Sequence, residues 1–327
     1  MIRTHVIPVL LVLSLALLAA QVSYRMREAH LMIMYEADMA VLRGQAIIPE
    51  FQNRVLGPLM LTFMRDLLPA SLPNKAVWHL MRIIQAAIAF MVLYGVAFRL
   101  SGRRLGAVGV VALITYAHLW TGMTSVDELT SDFFDIMFMS LFVALALAEW
   151  LPLLLLCVII GSANRESGMF AAVIWGSVAG LRYGFYPRNW QRFLPAVIVF
   201  LASSATVAAI RYGLAPDMKM RQFIGAIYTI SFWRFALTMN GGIPMLMATV
   251  LAFYLALRAL PRPWTNDQKG LFLAAMVCLA ITMVFGIWFE LRIYMPSWTI
   301  LSLALALGLK DMPEGAWLAR LLPERRT

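Results

Sequence analysis

Gln52-Asn53-Arg54-Val55-Leu56-Gly57-Pro58 opens an apolar run that ends at Leu68. Whether that run crosses a membrane sets the orientation of everything after it. A spanning helix needs about 20 apolar residues, more than Val55–Leu68 supplies, and Pro58, Arg65, Asp66 and Pro69 interrupt it. Counting it as a span would place Ser101-Gly102-Arg103-Arg104 on the outer face, against the tendency of Arg and Lys to stay cytoplasmic. We therefore read 55–69 as an interfacial or re-entrant helix. It belongs to one long polar interval, 23–75, that also holds Tyr35-Glu36-Ala37-Asp38 and Arg43-Gly44.

Composition supports a membrane setting for that interval. The 327 residues are 62% hydrophobic and 13% charged, with a mean hydropathy of +0.79. Soluble domains run about 45–50% apolar and about 25% charged. The expected fold class is all-α, a polytopic membrane protein with about ten transmembrane helices at roughly 20 residues each plus short loops. A single transmembrane domain over 1–327 is expected, with 23–75 as a first outer loop containing interfacial helices. A second outer loop covers 211–241. The net charge of +10 reads as cytoplasmic Lys and Arg that set orientation, with no nucleic-acid partner. Cys157 and Cys278 both lie inside apolar tracts, so neither a disulfide framework nor a CxxC metal site is expected. Residues 1–22 read as an uncleaved first helix, because Ala20-Gln21-Val22 forms no clear A-x-A cleavage site.

Taken in order, the spans after the first are expected at about 76–100, 105–121 and 132–149. The next tract, 151–181, would be about 46 Å long as one helix, against a hydrocarbon core of about 30 Å. Asn164-Arg165-Glu166-Ser167 interrupts it, so two short helices meeting at a turn are expected. Further spans follow at about 193–210, 243–260, 270–288 and 296–309, which puts both termini in the cytoplasm.

On this topology the charges that do not set orientation gather on the outer face: Glu36, Asp38, Arg54, Asp127, Glu128, Asp132, Arg165, Glu166, Glu290 and Arg292. Ionisable groups near membrane depth are costly and normally face an interior or a wet cavity, so one polar cavity is expected. Each piece has a plainer alternative. Glu36 and Asp38 diverge by about 200° on a helix, and Glu36 also reads as a solvated surface acid. Ser125-Val126-Asp127-Glu128 fits a capping box. Glu128, Asp132 and Asp135 share a helical face and form a cluster of the kind that holds Mg²⁺ or Mn²⁺, yet no His or second acidic motif enforces it. No metal or other cofactor is assigned. Arg165-Glu166 also reads as an ion pair stapling a hairpin. His79 and His118 read as packing residues.

The order of these features resembles the GT-C class of membrane glycosyltransferases. The resemblance rests on the first-loop acids Glu36 and Asp38, on Arg54-Val-Leu-Gly-Pro58, and on a span ending at Gly102-Arg-Arg104. Asn164-Arg-Glu-Ser167 and Glu290-Leu-Arg292-Ile-Tyr-Met-Pro296 add shorter islands. The match is best over about 30–105. It implies a small bacterial member of the inner (cytoplasmic) membrane, with the site facing outward. The substrate would be a polyprenyl-phosphate-linked sugar, transferred to an acceptor that the sequence does not identify. Asp38 would act as general base with Glu36 in reserve, and Arg54, Arg165 and Arg292 would hold the carrier phosphate. Asp132, Glu166 and Glu290 would shape the cavity or orient those arginines. The chain is short and lacks the large outer C-terminal domain of many members. Two other classes fit the composition: a lipid or solute transporter or flippase, and a non-catalytic subunit of a polysaccharide assembly complex.

Overall fold

A computed structural model describes residues 3–27, 31–43, 54–124, 132–214, 242–258, 262–285, 294–310 and 312. The described chain is helical throughout, with no strand. In order the helices are α1 (Arg3–Arg27), α2 (Leu31–Leu42), α3 (Leu56–Leu67), α4 (Asn74–Ser101), α5 (Arg104–Thr124), α6 (Asp132–Leu147), α7 (Leu151–Asn164), α8 (Phe170–Tyr183), α9 (Leu194–Leu214), α10 (Gly242–Arg258), α11 (Asn266–Phe285) and α12 (Met295–Gly308). Single 3-10 turns at Glu166–Met169 and Pro187–Arg192 lead into α8 and α9.

Among the described residues, three helices are long and apolar enough to cross a membrane: Val6–Arg25, Asn74–Ser101 and Leu194–Gly213. Arg104–Leu119, Leu151–Asn164 and Met295–Gly308 are shorter and apolar. The outward faces are apolar too. Ile7, Leu10 and Leu17 on α1, Val197 and Leu201 on α9, and Met247 and Leu251 on α10 are all exposed. Such surfaces are stable where lipid is the solvent. α3, at 12 residues, is about 18 Å long and too short to span.

Packing alternates the chain direction. Gln21 of α1 meets His79 of α4 at 3.0 Å, so the end of α1 lies beside the start of α4. Arg82 of α4 and His118 of α5 both flank Phe133 of α6, at 4.3 Å and 4.6 Å. That gathers the start of α4, the end of α5 and the start of α6 at one end of the bundle. The core between these helices is large and aromatic, with Phe90, Phe133, Phe142, Trp298 and Ile300 buried in one cluster. α8 and α11 cross with their backbones touching: a Cβ on Gly270 would lie 2.9 Å from Val178 Cα.

The opposite end is closed by an ion-pair cluster. α6 stops in a Schellman-type turn in which the Trp150 amide donates to the Leu145 carbonyl (3.0 Å) and the Glu149 amide to that of Ala146 (3.2 Å). Glu149 takes the left-handed position at φ 53, where glycine is usual and other residues are strained. Its side chain explains the choice, accepting from Tyr183 Oη at 2.6 Å and Arg182 Nη1 at 2.8 Å. Arg182 also reaches Asp267 at 2.9 Å and the Leu147 carbonyl at 2.9 Å, tying α6, α8 and α11 together.

The Tyr183 hydroxyl first, and Arg182 with it, holds the Glu149 carboxyl below its ordinary range despite partial burial. A lowered folded value means the contribution is present above the unfolded carboxylate pKa and is lost as pH falls through the folded one. Glu149→Gln should therefore be less stable than the parent at pH 7, by under about 1 kcal/mol because the site is solvent-screened. The gap should close once pH drops below the folded value. Thermal melts of both proteins in detergent across pH 3–7 would measure it, and a gap that stays constant with pH would contradict the assignment.

Candidate functional site

Four of the charges expected on the outer face, Arg54, Asp132, Arg165 and Glu166, meet where α7 breaks. α7 ends at Asn164 because Arg165 turns to extended backbone (φ −167, ψ 156). The chain then makes one tight 3-10 turn before α8. Gly168 permits that turn to close on α7. An added Cβ would overlap the Ser162 hydroxyl and lie 3.1 Å from the Ser162 backbone nitrogen. Ser162 is itself bonded to Ser203 of α9 at 2.7 Å, both fully buried. Gly168→Ala should cost about 1–3 kcal/mol, the usual penalty of overpacking. Gly109→Ala, where nothing lies within 4 Å, should leave the melting temperature unchanged or raised.

The break presents two layers of charge. In the inner layer Arg165 Nη1 donates to Asp135 Oδ2 at 2.8 Å and to Asp132 Oδ1 at 3.5 Å. Asp135 also accepts from Ser167 Oγ at 2.8 Å and from Asn164 Nδ2 at 3.3 Å. All five residues are buried. The motif Asn164-Arg165-Glu166-Ser167 thus wraps one carboxylate with three of its four side chains. In the outer, part-exposed layer Glu166 lies between two arginines, with Oε2 3.7 Å from Arg54 and Oε1 3.2 Å from Arg211.

Arg54 reaches this place because the first-loop chain is pinned there. The Val55 amide donates to the Ala163 carbonyl at 2.9 Å, one residue before the break. Val55 packs with Val41 of α2, and Leu42, Ala163 and Ile210 complete the cluster. Asp38 lies one turn upstream of Val41 and Leu42 on the same helical face. It is buried at 6% exposure, while Glu36 is exposed. The two acids of Tyr35-Glu-Ala-Asp38 therefore occupy different environments: one is buried, the other exposed.

Asp38, Arg54, Asp132, Arg165 and Glu166 belong to this end of the bundle. Asp127, Glu128, Glu290 and Arg292 lie outside the described residues, as do the connections 44–53 and 215–241. For the carboxylate face expected from Glu128, Asp132 and Asp135, the two described members face Arg165 instead. No group of three or more His, Cys, Asp or Glu among the described residues is placed to hold a metal.

Sequence reading missed three contributors. Asp135, which the sequence shows only as part of a carboxylate face, is the centre of the inner layer. Arg211 stands at the end of an apolar helix, at the start of the second outer loop, and belongs to no motif. Arg82 is fully buried two turns into α4, with its guanidinium between the rings of Trp78 (5.4 Å) and Phe133 (4.3 Å). The available signal was the charge itself, since an arginine that deep in an apolar helix is expected to have a functional or structural partner. Trp78, Arg82 and Gln85, spaced i, i+4 and i+7, make a buried polar lane on α4 leading toward the Asp132 end of α6.

Comparison with protein-family models, with curated proteins and with solved structures gives no match.

Proposed function

We propose that this chain is a GT-C-like membrane glycosyltransferase that moves a sugar from a polyprenyl-phosphate carrier to an acceptor on the outer face of a bacterial inner membrane. The observation that carries the reading is the Val55–Ala163 tether, which holds Arg54 beside Glu166 and Arg211 and packs Val55 against Val41, one helical turn from Asp38. An acceptor hydroxyl attacking the sugar needs a carboxylate base at hydrogen-bond distance. The departing carrier phosphate gains negative charge, and planar guanidinium groups stabilise it.

Within this reading Asp38 is the base and Glu36 the reserve. Arg54 and Arg211 are the phosphate contacts among the described residues, and Glu166 orients both. Arg292 keeps its proposed phosphate role, and Glu290, Asp127 and Glu128 their proposed place around the cavity. Arg165, enclosed by Asp132 and Asp135, is assigned a positioning role: it fixes the break from which Glu166 projects. The apolar helices give the carrier's lipid tail a surface to lie against, and both termini are assigned to the cytoplasm by the positive-inside tendency.

The test is a discharge assay. Protein reconstituted in nanodiscs is mixed with radiolabelled polyprenyl-phosphate sugars and a membrane extract supplying acceptors. Label leaving the carrier supports the reading. In sealed vesicles, carrier crossing the bilayer with its sugar intact would favour a flippase instead, and neither event would favour a non-catalytic subunit.

A further inference from the structure

The end of the bundle opposite Arg165 has its own cavity, and its chemistry suits a different ligand. The cavity is about 110 Å³ and is lined by Glu149, Trp175, Arg182, Tyr183, Gln191 and Arg192, among others. Its rim is the α8–α9 connection with the neighbouring α6–α7 turn. There Trp150, Phe185, Tyr186 and Trp190 are each more than half exposed. Exposed aromatic rings gathered at one level are what the boundary between hydrocarbon and headgroup selects, because a ring is apolar in body and polar at the tip.

Two cations stand among those rings. Arg192 lies 4.6 Å over Tyr183, and Arg188 lies 5.2 Å over Tyr186. Stacked guanidinium groups keep their in-plane N–H donors turned outward for an anion. Glu149, the one carboxylate lining the cavity, is already engaged by Tyr183 and Arg182, and Arg182 by Asp267. Arg188 and Arg192 are exposed and set the local excess of positive charge. The surrounding face is also basic. Arg99, Arg103, Arg104, Arg262, Lys269 and Lys310 lie at this end, and among the described residues its only carboxylates are Glu149 and Asp267.

We propose that this cavity and its aromatic rim bind the headgroup of an anionic phospholipid. The phosphodiester is held by Arg188 and Arg192, and the acyl chains lie along the exposed apolar face of α9. Leu194, Val197, Ile198 and Leu201 supply that face directly below the rim. A juxtamembrane cation contributes about fivefold to the affinity for an anionic lipid surface, so two arginines set a sizeable preference. The site is separate from the proposed transfer chemistry, and either reading stands if the other fails.

The experiment is native mass spectrometry of the full chain in neutral detergent, with phosphatidylglycerol and phosphatidylcholine of identical acyl chains. The parent protein should retain phosphatidylglycerol at least tenfold better. Arg188→Gln with Arg192→Gln should lower that retention by about fivefold per charge removed and leave phosphatidylcholine unaffected. Trp190→Ala should weaken both lipids while preserving their ratio, which gives a readout even if the arginine double variant folds poorly. Equal retention of the two lipids by the parent protein overturns the proposal. So does an unchanged preference in the folded double variant, and so does displacement of the lipid by excess inorganic phosphate, which would mark a free-anion site.

Discussion

Asp135→Ala should lower the folding stability of this protein by about 3–5 kcal/mol, the usual cost of stranding one member of a buried ion pair. Asp135 supplies the closest of Arg165's carboxylate contacts at 2.8 Å, against 3.5 Å for Asp132, and it also satisfies Ser167 and Asn164. Its loss leaves a buried guanidinium with one long contact and two polar side chains without their acceptor. Asp132→Ala should cost clearly less. Removing both ends together, as in Asp135→Leu with Arg165→Met, should recover much of the loss, because two buried charges then go as a pair. Thermal melts of fluorescently tagged protein in detergent rank the variants. Asp135→Ala melting with the parent protein would show that the network carries little of the fold.

If the proposed glycosyl transfer holds, Asp38→Asn should lower it by about 10²–10⁴-fold, the range associated with loss of a general base, while the melting temperature stays near that of the parent. Asn has the shape of Asp, so the α2–α3–α4 packing around this buried position is retained. Glu36→Gln, on the exposed face of the same helix, should change the rate little. A reversal of the two results would transfer the base assignment to Glu36, and full activity in both variants would remove the first loop from the chemistry. The same discharge assay reports both, so the comparison needs no knowledge of the natural acceptor.

Much of the helical framework can be read in the sequence because lipid leaves the chain few options. An apolar tract of 151–181 is too long for one helix, and the charged residues within it locate the break, which falls between Asn164 and Phe170. Val55–Leu68 is too short to span, and α3 is correspondingly a short helix. The site is less legible, for a physical reason. Helical periodicity places Asp132 and Asp135 on one face but says nothing about what stands opposite, so a carboxylate pair holding an arginine looks the same as one awaiting a cation. Arg211 is not legible because it opens a polar loop, where a charge is ordinary and nothing in the sequence points to Glu166 as its partner. Arg82 was hidden by averaging, since one arginine barely dents the hydropathy of a 28-residue helix. Glu36 and Asp38 could be separated in angle by counting residues, but which of them is buried depends on how α2 packs against α3 and α4.

The Val55–Ala163 hydrogen bond also has a meaning in time. During synthesis the segment carrying Asp38 and Arg54 emerges early, long before the ribosome reaches α7 or the Arg211 end of α9. The helices from α1 to α6 can bury their shared aromatic face by then, and α2 and α3 can pack on α4, but Arg54 and the Val55 amide still lack Ala163, Glu166 and Arg211. Closing so long a stretch of chain costs loop entropy before any contact rewards it. The charged end of the molecule therefore assembles well after its first-loop half has emerged. A nascent chain stalled after α6 would carry a packed bundle beneath an unassembled site, so the protein gains its proposed activity only after α9 is in place.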